Sequence, residues 1–347
     1  MKRFLIILSV ILLLPMRVSA MDITAPEVPE SGKTLLPEEP ETFGEGLWTL
    51  LTEAVSMLEP SLAAASGICL QILAVATLVG ITKMIPGSSD TTAELVGVIA
   101  VAVAMIRPTG TLINEAVATV DEMCNYGKLL IPVMAAALAA HGGISSSTGL
   151  YAGTVVFDAF LGSLISGVIV PAIYIFLCLS VASCAIGEQT IGNIKAFVKW
   201  LMTWMLKIVL YIFTGFMGIT GVVSGTVDAA ALKATKLTIS GAVPVVGGIL
   251  SDASEAVLVS AGILKNAAGV YGLLAVLAVW LGPFLKIAVQ YLLLKVTGAL
   301  SSNLGGKKVS TLVRDFSGAM GLLLGITGTV CLLLMVSVVC FMRGGYT

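Results

Sequence analysis

Three features of this sequence carry residue types that chemistry could use, and none forms a complete site. The run Ser302-Asn303-Leu304-Gly305-Gly306-Lys307-Lys308 looks at first like a phosphate loop, in which glycine amides wrap a phosphate and a lysine followed by Ser or Thr completes the cradle. Ser301 stands where the first glycine is required and Val309 stands near the Ser/Thr position, so the run reads as a solvated basic turn. The single histidine, His141, has no cysteine or carboxylate at ligand spacing and reads as the polar tip of a hairpin. Cys69, Cys124, Cys178, Cys184, Cys331 and Cys340 show no C-x-x-C pair and mostly lie inside apolar runs, where cysteine packs as a small hydrophobe. No His-Glu-x-x-His, no paired membrane aspartates and no Gly-x-Ser-x-Gly elbow is present. The reading is therefore non-enzymatic, with no catalytic residue, metal or cofactor assigned.

Charges set in apolar surroundings are more informative, because each is costly there. Asp158, Lys207, Lys265 and Lys286 fall at or near the ends of apolar segments, where lysines can reach the headgroups and Asp158 can meet water. Asp252, Glu255 and Lys265 gather on one expected hairpin, either as the lining of a conduit or as a mutually paired helix cap. Pro244, Gly247, Gly248 and Asn266 complete that candidate lining. A second group, Lys195, Lys199, Lys307, Lys308 and Arg314, occupies two basic loops at 187–200 and 295–315, the second of which also holds Lys295. These are candidate contacts for a cytoplasmic partner.

The elements that must position these residues are membrane helices. The 347 residues are 57% hydrophobic and 11% charged, against roughly 25% charged in an ordinary soluble domain. A net charge of -1 leaves no basic surface for a nucleic acid. Residues 1–20 carry Lys2 and Arg3, a short apolar core and Val18-Ser19-Ala20, the pattern of a cleavable signal peptide. Residues 21–42 are rich in Pro and Glu and cannot bury a core, so an exported disordered tail is expected. An amphipathic outer helix should occupy 43–66, ahead of a polytopic domain over 67–342.

Within that domain, apolar segments at 67–85, 92–106, 160–186, 201–223, 268–294 and 317–341 predict an all-α bundle of about six transmembrane helices. The second is short for a span of about 20 residues. Lysine and arginine in the short loops place those loops inside, and both mature termini on the exported side. Two further stretches, 129–151 and 241–264, are each interrupted by polar residues and predict re-entrant or interfacial helical hairpins. Asp228, Lys233 and Lys236 mark an amphipathic outer helix over 226–238, a docking surface. Pro132 and Pro244 stand at the same separation as Pro171 and Pro283, which suggests an internal tandem repeat of 107–223 and 224–342. Gly149-x-x-x-Gly153, Gly221-x-x-x-Gly225 and Gly321-x-x-x-Gly325 allow close helix packing, within the chain or in a homo-oligomer.

At Gly241-Ala242-Val243-Pro244-Val245-Val246-Gly247-Gly248-Ile249-Leu250-Ser251-Asp252, then Lys265-Asn266 and Gly269-Val270-Tyr271-Gly272-Leu273-Leu274, the chain resembles the stage III sporulation protein AE family. The helix bearing Lys233 and Lys236 and the Leu281-Gly282-Pro283 span are similar too. The resemblance implies a multi-pass protein of the mother-cell membrane that engulfs a forespore. It implies partnership with the other proteins of the stage III sporulation A operon, among them the AA ATPase, and indirectly with stage II sporulation protein Q. The implied role is a platform or conduit in a channel-like or secretion-like complex, with energy supplied by a partner. A stand-alone secondary transporter is the rival reading, favoured by the broken helices and the repeat.

Overall fold

The computed structural model describes residues 26–36, 43–86, 89–242, 247–304 and 306–343, and the side chains of 221–265 lie outside that description. Among the described residues every element is helical. A short α1 (Glu30–Lys33) precedes α2 (Phe43–Ser56) and α3 (Leu58–Lys83), which meet at Met57. Helix α4 (Asp90–Ala140) turns at 141–143 into α5 (Ile144–Leu164). A π-helical turn, Ile165–Ile169, joins α5 to α6 (Val170–Ile186), and α7 (Gln189–Ala242), α8 (Gly247–Leu304) and α9 (Lys307–Arg343) complete the chain.

Six helical stretches are long and apolar enough to cross a membrane: Phe43–Lys83, Asp90–Ala140, Ile144–Ile186, Gln189–Thr220, Asn266–Leu304 and Lys307–Arg343. Each contains one of the expected spans in whole or in large part, so the expected six-span all-α bundle holds. The short second segment resolves itself, since residues 92–106 are the opening of a 51-residue helix that runs through Pro108 and Pro132. Pro171 lacks an N–H and crowds the carbonyl four residues back, at Gly167. That carbonyl lies inside the π turn, where the wider helix gives the ring room.

Helix α9 is the axis of the packing and touches α4, α5, α6, α7 and α8. Phe316, Met320, Leu323, Ile326, Val330, Leu334 and Phe341 of α9 are all almost wholly buried. Helix α3 fits against α4 and α8, and α1 and α2 lie on α8. Gly32 of α1 is held so close to Val279 that a Cβ there would stand 2.9 Å from the Val279 Cγ2.

Three features differ from expectation. The arms of the expected hairpin at 129–151 are the last turns of α4 and the first of α5, so two long helices meet there in a three-residue turn. Ser251–Glu255, expected as a polar turn, is helical within α8, while the connection at 243–246, with Pro244, lies outside the described residues. The two basic loops are also largely helix, because α7 begins at Gln189 and α8 continues to Leu304. The physical reason is common to all three. Polar residues in a membrane protein mark where a helix surface meets water or protein, and they do not by themselves end the helix.

Candidate functional site at the basic end of the bundle

Lys83 at the end of α3, Gly187 after α6 and Gly306 before α9 lie together at one end of the bundle, with Gly187 beside Lys308 and Gly306 beside Lys83. Gly187 and Gly306 both adopt left-handed backbone, at φ 80° and 95°, which glycine does without Cβ strain. The Gly187 N–H donates to the Ser183 carbonyl at 2.9 Å and closes α6. Gly80 of α3 abuts the Leu304 carbonyl so tightly that no side chain would fit there. Ser310 of α9 donates to the Gly298 carbonyl of α8 at 2.7 Å, pinning the two helices.

Charged side chains knit this end. Lys83 donates to Glu94 at 2.5 Å, joining α3 to α4. Lys195 donates to Asp315 at 2.6 Å, joining α7 to α9, with both side chains mostly covered. The five expected partner contacts therefore divide. Lys195 is used inside the fold. Lys307 and Lys308 stand at the tip, Lys307 exposed and Lys308 beside Gly187. Lys199 and Arg314 are exposed further along their helices, with Lys295, in a cleft of about 540 Å³.

The far half of the molecule holds different chemistry. Lys286 donates to Glu115 at 2.6 Å, so it is paired across helices and not simply snorkelling. Arg107, Lys286 and Gln290 edge a cavity of about 670 Å³ whose other walls include Met57, Pro60, Ala64 and Leu112. Asp158 corrects the expectation that it meets water, since only 3% of it is exposed and it lies beside the Cys124 thiol. Its Oδ1 accepts no hydrogen bond. Nearby, Thr154 donates to the Leu150 carbonyl at 2.8 Å and lies 3.4 Å from the Ser337 hydroxyl. Sequence reasoning placed Asp158 at a segment end because it closed one apolar stretch at 151 and opened the next at 160, whereas α5 runs unbroken through both.

Of the expected conduit lining, Gly247, Gly248, Asp252, Glu255, Lys265 and Asn266 lie on α8, which carries all six along one helix. Among them only Asn266 has a described side chain, and it is exposed. Among the described residues, no three His, Cys, Asp or Glu side chains gather as a metal site.

A family model described as stage III sporulation protein AE matches residues 46–345. The chain belongs to this family. A relative, stage III sporulation protein AE of Bacillus subtilis (strain 168), is 24% identical over 233 residues, which is 67% of this chain and 58% of that protein. The match thus spans well over half of the relative's length but less than two thirds of it. No solved structure matches. This member of the stage III sporulation protein AE family is a multi-pass membrane protein of sporulation, and its family region takes in α3 to α9 together with most of α2. Within that region the sequence pointed to Lys199 and Arg314 but assigned Lys295 no part in a site. The signal was the glycines opposite: Gly298 faces the Arg314 stem, Gly318 faces Lys199 and Gly321 faces Tyr291.

Proposed function

We propose that the chain is a non-enzymatic membrane component of the complex that links mother cell and forespore, serving as its platform or conduit in the mother-cell membrane. The basic end faces the mother-cell cytosol and both termini face the exported side. The observation that carries this reading is the sorting of charge at that end. Lys83 and Lys195 are consumed in ion pairs that tie helices together, while Lys307 remains exposed at the tip with Lys308 beside it. A cationic tip on a rigid bundle suits an acidic cytoplasmic partner, and the AA ATPase of the same operon is the candidate. The stretch from Pro244 to Asn266 is the candidate lining of the conduit, and stage II sporulation protein Q would be reached indirectly from the exported side.

Reversing the tip with Lys307→Glu and Lys308→Glu should lower co-purification of the ATPase severalfold and depress spore yield at equal protein level. Undiminished co-purification and yield would remove the docking reading. Asp252→Ala and Gly248→Leu, scored for spore yield, test the lining in the same way. One observation favours a second reading, a stand-alone secondary transporter: Asp158 is a carboxyl buried between membrane helices, a feature that often marks a transport path. Solute movement by the protein reconstituted alone would establish the transporter, and a vesicle that stays inert without partners favours the platform.

A further inference from the structure

We infer that the cleft between α7, α8 and α9 binds the phosphate headgroup of an anionic phospholipid through Lys199, Lys295 and Arg314. This inference does not rest on the platform reading.

Three cations come from three helices. Lys199 is ten residues into α7, Lys295 nine before the end of α8 and Arg314 seven into α9. At a rise of 1.5 Å per residue all three stand about 10–15 Å above the basic tip. That is the level at which the apolar runs of α7 and α9 begin, at 201 and 317, and that of α8 ends, at 294. No carboxylate lines the cleft. Among the described residues none of the three cations makes a salt bridge. Lys199 lies 5.9 Å from the centre of the Phe176 ring, Lys295 lies 4.8 Å from that of Tyr291, and Arg314 reaches the Thr311 hydroxyl at 3.4 Å. Three uncompensated cations converging on one volume repel one another, so the cleft is electrostatically complete only with an anion in it.

The cleft is open by construction. A Cβ on Gly318 would stand 2.8 Å from the Lys199 Nζ, one on Gly298 would stand 3.0 Å from the Arg314 Cγ, and one on Gly321 would stand 3.3 Å from the Tyr291 ring. Ser317, also in the lining, donates to the Tyr291 carbonyl at 3.1 Å and fixes the back wall.

Its neighbours select a lipid over a free ion. Phe197, Trp200 and Trp204 run along the same stretch of α7, stacked at 5.9 Å, and all three are about half exposed. Exposed tryptophans beside lysines are the signature of the membrane interface, and basic pockets between transmembrane helices at that level take anionic headgroups. Leu292, Val296 and Leu300 of α8 are exposed beside Lys295 and offer a track for acyl chains.

The two tryptophans supply the test. In full-length protein carrying Trp48→Phe and Trp280→Phe, the remaining tryptophans are Trp200 and Trp204. Their quenching by brominated phosphatidylglycerol is compared with quenching by brominated phosphatidylcholine in vesicles of both lipids. The expected result is a preference for phosphatidylglycerol of about fivefold or more, on the scale of one cation near a lipid surface. The triple variant Lys199→Gln, Lys295→Gln, Arg314→Gln should lose it. Gly318→Leu keeps every charge but fills the cleft, and should lose it too, whereas Lys207→Gln, on α7 outside the cleft, should keep it. Equal quenching by both lipids, or a preference that survives the triple variant, overturns the proposal. So does loss of the preference on adding millimolar inorganic phosphate at constant ionic strength, which would make this a free-phosphate site.

Discussion

Helices α7 and α9 begin alike and end in different surroundings. Each follows a left-handed glycine, Gly187 or Gly306, and each sets a cation, Lys199 or Arg314, just before its apolar run. If the chain is an internal duplication, they are counterparts. Yet 61% of the most apolar stretch of α9 is buried in the protein, against 22% for α7. Hydropathy cannot make this distinction, because lipid tails and a protein interior are equally apolar. Residue size makes it. Helix α9 carries Gly318, Gly321 and Gly325, each with a side chain of α7 or α8 within 4 Å of where its Cβ would stand, and buries the small Ser317, Thr327 and Ser337, whereas Gly215 and Gly218 of α7 have nothing that near. Helix α7 carries Phe197, Trp200, Trp204 and Tyr211 on its exposed side, where rings fill space against lipid.

The sharpest way to break this comparison is one aromatic truncation on each helix. Phe316→Ala, in α9 and 1% exposed, should destabilise the protein by about 3–5 kcal/mol through the cavity it leaves. Tyr211→Ala, in α7 and 70% exposed, should stay within about 0.5 kcal/mol. Unfolding in mixed detergent micelles measures both, and equal losses would mean that α7 is covered by a second protein surface. Next in size is the ion pair that joins the two helices. Lys195→Ala strands the mostly covered Asp315 and should cost about 1–3 kcal/mol. Lys307→Ala should cost nothing measurable by the same assay. A Lys195→Ala loss that disappears in the Lys195→Ala, Asp315→Ala double variant would assign the effect to the pair.

The smallest effect belongs to α1, outside the membrane helices. The hydrogen bond from Lys33 to Glu30, then that to Glu27, holds the Lys33 ammonium above its ordinary range. Because the folded value is raised, the contribution is fully present below the ordinary lysine value and is lost as pH rises through the folded one. A spin label at position 34 should report the same mobility from pH 6 to 9, and greater mobility only above about pH 10.4. Loosening near neutral pH would show that other contacts hold α1.

Much of the architecture was legible because hydrocarbon imposes a length. Apolar runs near 20 residues recur, and six of them gave six helices. The second run was legible only in part. Residues 92–106 look too short because Arg107 and Pro108 follow, and those residues are carried inside a continuous helix. The gap left between the stretches ending at 151 and beginning at 160 likewise hid Asp158, which α5 carries through that gap and buries. The basic residues were found, but their sorting was not, since an ion pair such as Lys195 with Asp315 joins positions far apart along the chain.

The sequence by itself determined that this chain lives in a bilayer, how many times its helices cross, where the cations fall and to which family it belongs. Those follow from solvent preference and local pattern, which each segment expresses without reference to the others. Only the tertiary structure decided which helix lies at the centre, which cations are spent on ion pairs and which three converge on an open cleft. Those depend on distances between segments remote in sequence, and apolar composition is silent about such distances.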